Sequence, residues 1–168
     1  MKILFDINVI LDVLLNRHPF VETATNLVAL VESKQIEGYL CANTITTLDY
    51  LLSKAMDKNQ AKLTIRKLLI LFEICDVNRL VIEQSLNSAF KNFEDAVQHY
   101  SGKCHGIDGL VTRNIKDFKQ AELPIYTPEE LWSIVNINGS DQIDEFQGNK
   151  YNSPPAAQYC TEPFFIPN

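Results

Sequence analysis

The stretch that decides the fold is MKILFDINVILDVLL, residues 1–15. An apolar run at 3–5 is interrupted by Asp6 and Asn8, after which apolar residues return at helical spacing. A short apolar run followed by helical periodicity is typical of a buried parallel strand that leads into a helix. Asp6 then lies at the carboxyl end of that strand, the edge where open α/β sheets bind ligands. An aspartate here is also a favoured helix cap, so this stretch alone leaves both roles open.

Strands and helices alternate along the remainder of the chain. This order predicts right-handed crossovers and a parallel sheet, hence the α/β class. A folded domain is predicted over 1–137, followed by a Pro/Gly-containing extension over 138–168 whose aromatic end, 159–166, we expect to pack on the body or on a neighbouring subunit. The predicted strands are 2–5, 38–42, 74–77, 109–112 and 124–126.

Composition limits the classes of function. The 168 residues are 46% apolar and carry a net charge of −6, which disfavours broad electrostatic capture of nucleic acid and suits carboxylates gathered around a divalent cation. The four cysteines have neither zinc-site nor disulfide-framework spacing. We expect no signal peptide and no membrane span, and therefore a cytoplasmic protein.

Three aspartates fall where the predicted topology would bring them together. Asp6 follows the first strand, Asp117 follows the fourth, and Asp95 begins a helix. Clustered carboxylates repel unless a cation offsets their charge, and Mg²⁺ binds through a few carboxylates while it keeps waters. The implied chemistry is metal-assisted hydrolysis of a phosphodiester. Each aspartate also has a structural explanation, in the helix dipole or in a turn.

Other polar residues receive structural interpretations. Asp12 is predicted on the solvent face of the first helix, and Asp108 in the turn before the fourth strand. His99 and His105 are more simply explained as solvated or capping histidines than as metal ligands.

Three segments together resemble the PIN-domain family, which includes VapC-type toxin ribonucleases. They are FDINVILD at 5–12, NFEDA at 92–96 and LVTRNIKDF at 110–118. The resemblance covers about 1–136, and its specificity rests on the order and spacing of the segments. It implies a three-layer α/β/α fold around a five-stranded parallel sheet. It also implies a Mg²⁺- or Mn²⁺-dependent endoribonuclease, often dimeric and often the toxin of a bacterial toxin–antitoxin pair.

The resemblance also implies roles for individual residues. Asp6 and Asp95 match metal-binding aspartates, and Asn8 matches their companion near the site. The fourth position falls on Asn114 or Asp117. Thr112 is then placed to orient phosphate or water.

One position departs from the family. A glutamate usually lies in the stretch that corresponds to 42–50, and alignment on Tyr50 puts Thr47 in its place. Asp49 lies about 200° further round a helix, so it would substitute only if the helix were shifted. We therefore expect weaker metal binding and weak or absent activity.

Three hypotheses follow. The first is a ribonuclease with Asp6, Asp95 and Asp117 on the cation and with an RNA substrate, an antitoxin protein and a second copy of the chain as partners. The second is a PIN-fold module that binds RNA or protein through a degraded site. The third, a phosphotransferase of the haloacid-dehalogenase type, ranks lower because Asn8 stands where that family has an aspartate. Candidates to contact the RNA backbone are Lys54, Arg113 and Lys116, although solvated surface charge is the simpler explanation of all three.

Overall fold

The centre of the fold is a parallel sheet. The computed structural model describes residues 1–140, which contain β1 (Lys2–Phe5), β2 (Glu37–Cys41), β3 (Glu73–Cys75), β4 (Gly109–Val111) and β5 (Ile125–Tyr126). Their order across the sheet is β3-β2-β1-β4-β5, and every pairing is parallel.

β1 occupies the middle of this sheet. Ile3 is in register with Gly38 of β2 on one side and with Gly109 of β4 on the other. After β1 the chain moves outward to β2 and β3, and it returns to the opposite side for β4 and β5. The carboxyl end of β1 is therefore the topological switch point, where a crevice opens in sheets of this kind.

Helices cover both faces of the sheet. Ile3 and Phe5 join a core formed with the first four helices and the last, whereas Leu4 joins a second core formed with the fifth and sixth. This arrangement confirms the predicted three-layer α/β/α fold with a five-stranded parallel sheet. The helices are α1 (Ile7–Leu14), α2 (Val21–Glu32), α3 (Ala42–Ala55), α4 (Lys58–Leu71), α5 (Arg79–Leu86), α6 (Phe93–Cys104) and α7 (Pro128–Ser140).

Close packing between sheet and helices depends on a glycine in β2. A Cβ atom added to Gly38 would lie 2.7 Å from the Phe72 ring and 2.8 Å from Val31. The Phe72 ring in turn packs edge-on against Phe5, with the ring centroids 5.2 Å apart. The absent side chain thus allows the aromatic pair to form beneath the centre of the sheet.

The prediction that Asp12 faces solvent is wrong. The side chain is 0% exposed, because residues 9–14 of α1 are all buried and the helix has no solvent face there. Arg113 Nε lies 2.9 Å from Asp12 Oδ2, as an ion pair whose N–H is not aligned for a hydrogen bond. Burial raises the pKa of Asp12, and the positive charges of Arg113 and Arg17 oppose that rise.

The predicted extension lies almost wholly outside the described residues. The boundary at 137/138 stays a prediction, and the expected packing of 159–166 concerns residues that the structure does not describe. Within residues 1–140, no helix is both long enough and apolar enough to cross a lipid bilayer.

Candidate functional site

Three polar side chains meet at the carboxyl ends of β1 and β4. Asp6 Oδ2 accepts hydrogen bonds from the Thr112 hydroxyl at 2.5 Å and from Asn8 Nδ2 at 2.6 Å. Asn8 Nδ2 also lies 3.1 Å from Thr112 Oγ1. Both Asn8 and Thr112 thus bond to the same oxygen, Oδ2, of the Asp6 carboxylate.

The strand register explains why these residues meet. Phe5 is in register with Val111, so the residues that follow, Asp6 and Thr112, leave the sheet side by side. Asp6 also precedes α1, yet its side chain makes no capping hydrogen bond. The carboxylate instead bonds to Asn8 and Thr112 at the edge of the sheet, and its role in ligand binding stays a prediction.

Backbone groups fix the orientation of this network. Thr112 Oγ1 accepts a hydrogen bond from the backbone N–H of Asn114 at 2.9 Å, and Asn8 Oδ1 accepts one from the backbone N–H of Arg113 at 3.3 Å. Because the Thr112 oxygen accepts from the Asn114 N–H and from Asn8 Nδ2, its own proton is directed at Asp6. The site is thus anchored to the segment after β4 as well as to β1.

Burial makes Asp6 an unusual carboxyl group. The residue is only 7% exposed, and burial raises its pKa. The hydrogen bond from Thr112 and the nearby amide of Gln98 lower this pKa in part, while the negative charge of Glu94 raises it further. A positive charge at this position would relieve the cost of ionising the group.

Asp95 approaches the same point from the first turn of α6. Its pKa is raised to about 6, mainly by burial and then by the negative charges of Asp6 and Asp117, while a hydrogen bond from Asn92 opposes the rise. Asp117 lies exposed in a 3₁₀ turn, Ile115–Phe118, just beyond β4. The negative charges of Asp6 and Asp117 therefore both act on Asp95 at this edge of the sheet.

The other predicted residues are distributed unevenly around this edge. Asn114 contributes its backbone N–H to Thr112, and its side chain is exposed. Lys116 is exposed in the same turn, whereas Lys54 lies over the ring of Tyr50, 4.1 Å from its centroid. Arg113 is held between Asp12 and Phe20, so it is not the solvated charge that the sequence suggested.

Two residues of α6 belong to this region although the sequence analysis did not select them. Gln98 is 4% exposed, and it lies near Asp6, yet its Nε2 makes no well-aligned hydrogen bond. Glu94 accepts a hydrogen bond from the Thr47 hydroxyl at 3.3 Å. Helical spacing could have identified Gln98, because it follows Asp95 by three positions and so lies on the same face of the helix.

The histidines have structural roles. His99 is 0% exposed and packs between Phe90 and Tyr100, so the expectation of a solvated or capping histidine is wrong for it. Burial lowers the pKa of His99. His105 ends α6, where its Nδ1 contacts the Ser101 carbonyl at 3.0 Å and its Nε2 accepts from the Asp76 N–H, as expected of a capping residue.

The donor set suits a hard divalent cation. Within residues 1–140, no group of three or more His, Cys, Asp or Glu side chains is close enough to hold a metal ion directly. Mg²⁺ needs only one or two carboxylates because it keeps several waters, and the negative charge of Asp6 helps to raise the pKa of Asp95. The buried, unpaired Nε2 of Gln98 is in turn a donor for a water or a phosphate oxygen.

Comparison with known proteins places the chain among relatives of the same architecture. It is 26% identical over 135 residues to Ribonuclease VapC1 of Aquifex aeolicus (strain VF5), a match that covers 77% of this chain and 92% of that protein. The fold is similar to that of VapBC2 from Rickettsia felis bound to a DNA fragment from their promoter, with a TM-score of 0.59 and 20% identity over 76% of this chain and 98% of that one. A toxin–antitoxin complex from Klebsiella pneumoniae gives a TM-score of 0.58 and 22% identity over the same shares of the two chains.

The similarity to these solved structures, at 20–22% identity, establishes only that the fold is the same. The family is assigned from a separate sequence match. The family model described as PIN domain matches residues 2–116, which include Asp6, Asp95 and Thr112, and Asp117 follows directly. Because this match extends over more than half of the chain, the protein belongs to the PIN domain family.

Proposed function

We propose that this chain is a Mg²⁺- or Mn²⁺-dependent endoribonuclease that hydrolyses RNA phosphodiesters as the toxin of a bacterial toxin–antitoxin pair. The observation that supports it most directly is the approach of Asp6, Asp95 and Asp117 to one edge of the sheet. The Aquifex relative is a ribonuclease by name, and the Rickettsia and Klebsiella structures are complexes of toxins with antitoxins. These names support an antitoxin protein as a partner, and we further propose a cytoplasmic homodimer.

The carboxylates have the central role in this proposal. Asp6, Asp95 and Asp117 would share the cation with bound waters, because no three of the described acidic side chains can hold an ion directly. Asp6 is the most firmly oriented of them because Thr112 and Asn8 both donate to it. A divalent cation bound there lowers the pKa of a coordinated water and offsets negative charge on the phosphate.

The neutral polar groups orient the other reactants. Asn8 and Thr112 donate to Oδ2 of the Asp6 carboxylate, and the backbone N–H of the exposed Asn114 donates to Thr112; we assign to these three residues the positioning of water or phosphate. Gln98 adds a buried amide donor with no partner of its own among the described residues. Lys116, exposed between Asn114 and Asp117, is the cation best placed to contact the RNA backbone.

Cleavage of a labelled single-stranded RNA tests the proposal. The purified parent should cut the RNA with added Mg²⁺ or Mn²⁺ and stop with a chelator, while Asp6→Asn should lose at least a hundred-fold in rate. Asp49→Asn, prepared in parallel, is the control for a contaminating nuclease, because it removes an exposed aspartate away from these groups. An Asp6→Asn protein that cuts as fast as the parent would refute the mechanism.

A second function is favoured by one residue. Thr47 brings no charge to the position where the family usually has a glutamate, which supports a PIN-fold module that binds RNA or protein without cleaving it. Calorimetry with Mn²⁺ separates the two, since such a module needs no metal. Membership of the PIN family removes the haloacid-dehalogenase alternative.

A further inference from the structure

The contact between Thr47 and Glu94 joins two helices beside the aspartates. The Thr47 hydroxyl lies 3.3 Å from Glu94 Oε1 and also 3.3 Å from the Asn43 carbonyl oxygen, so its single proton is shared between two acceptors. α3 begins directly after β2, and Asp95 on α6 follows Glu94, so the contact lies above the carboxyl edge of the sheet. A carboxylate from α6 is therefore held against the α3 residue that brings no charge.

The position of Glu94 on its helix is well fixed. Glu94 is the second residue of α6, and its backbone N–H donates to Asn92 Oδ1 at 3.1 Å, so the first turn is capped. The side chain is exposed. It can thus reach a ligand without the cost of desolvating a buried charge.

The charge of Glu94 acts on the aspartates of the site. Burial is the main cause of the raised pKa of Asp6 and of Asp95, and the carboxylate of Glu94 adds to the rise in both. The Glu94 carboxylate therefore lies within electrostatic reach of both aspartates.

We propose that Glu94 is the fourth acidic group of the site, which supplies from α6 the negative charge absent at Thr47 on α3, and that the Thr47 hydroxyl positions its carboxylate. This inference rests on the proposed function, because it assigns Glu94 to the same cation as Asp6 and Asp95. Glu94 would act on the cation through a bound water, as an exposed carboxylate beside a Mg²⁺ site does.

The simpler explanation is that Glu94 only favours the start of its helix. Acidic residues in the first turn stabilise any helix through the dipole. The chain provides a matched control, because Glu129 is likewise exposed at the second position of its helix, α7. Glu129→Gln removes the same charge from the same helical position in a different part of the fold.

The test is Mn²⁺ affinity measured by isothermal titration calorimetry on the full chain. The parent and Glu129→Gln should bind with the same affinity, and Glu94→Gln should bind about ten-fold more weakly, in the range expected for groups that support metal ligands. The double variant Thr47→Glu/Glu94→Gln should regain most of the lost affinity, because it returns a carboxylate to the site from α3. Circular dichroism melts without metal verify that each variant is folded.

The possible results distinguish a failure of the role of Glu94 from a failure of the metal-dependent function. Equal Mn²⁺ binding by the parent and Glu94→Gln would overturn the role of Glu94 and leave the proposed nuclease intact. A ten-fold loss in both Glu94→Gln and Glu129→Gln would also overturn it, since net charge alone would then explain the effect. A parent that binds no Mn²⁺ would overturn the metal-dependent function together with this inference.

Discussion

Replacing Asp95 with asparagine should stabilise the metal-free protein at neutral pH. The pKa of Asp95 rises from 3.8 to about 6, chiefly through burial and the charges of Asp6 and Asp117. This difference corresponds to roughly 3 kcal/mol at 1.36 kcal/mol per pKa unit. Asp95 is only half-buried, so solvent screening reduces it to about 1.5 kcal/mol. Loss of a favourable charge in the first turn of α6 offsets roughly 0.5 kcal/mol, which leaves a gain of about 1 kcal/mol.

The sign of the pH dependence follows from linkage. A carboxyl group whose pKa is higher in the folded state binds its proton more tightly there, so its contribution is fully present below about pH 4 and is lost as the pH rises through about 6. The advantage of Asp95→Asn should therefore be largest at pH 7 and vanish near pH 4. Added Mn²⁺ should reverse the order, because it stabilises the parent by binding to the native state.

Urea unfolding in a chelator, followed by the fluorescence of Trp132, measures this difference. Trp132 is the only tryptophan of the chain, and it packs partly buried against the main core. Asp49→Asn, an exposed aspartate on α3, should change the free energy of unfolding by less than about 0.5 kcal/mol. The argument from charge repulsion would be refuted if Asp95→Asn were no more stable than the parent at pH 7. It would also be refuted if the gain in the free energy of unfolding were as large at pH 4 as at pH 7.

Three further predictions concern packing and hydrogen bonding. Asp12→Asn should lower the free energy of unfolding in urea by about 2–3 kcal/mol, because Arg113 loses its buried partner; a loss under about 0.5 kcal/mol would contradict this. Thr112→Val should slow RNA cleavage at least about ten-fold while Thr112→Ser keeps most of it, since only serine retains the hydroxyl; equal rates would exclude a role for that hydrogen bond. Gly38→Ala should lower the free energy of unfolding by about 1–3 kcal/mol in the parent, because the new methyl group meets the Phe72 ring. In a Phe72→Leu background the same substitution should cost less, and an equal cost in both backgrounds would show that the methyl group and the ring do not clash.

Local sequence information was sufficient to predict the five strands and their parallel pairing. The predicted first strand, 2–5, coincides with β1, because a strand buried on both faces reads as a continuous apolar run. The same reasoning placed Asp6 and Asp117 at one edge and Asp95 at a helix start above it. That placement needs only the rule that parallel strands share their carboxyl ends.

Residues whose environment is set by distant segments were not predictable. The sequence around Asp12 predicts the polar side of an amphipathic helix, whereas in the structure Asp12 is buried beside Arg113, which is distant in sequence. His99 lies between rings on two elements, one of them Phe90 before α6. The contact of Glu94 with Thr47 likewise depends on how α3 and α6 approach each other, which neither local pattern encodes.

The central position of β1 has a consequence for synthesis on the ribosome. β1 needs neighbours on both sides, and its partner β4 is translated long after it, at Gly109–Val111. Until that segment leaves the exit tunnel, Asp6 has neither Thr112 nor the backbone carbonyl of Val111 to bond with. A nascent chain that has not yet exposed this segment therefore lacks the hydrogen bonds that hold Asp6 in place.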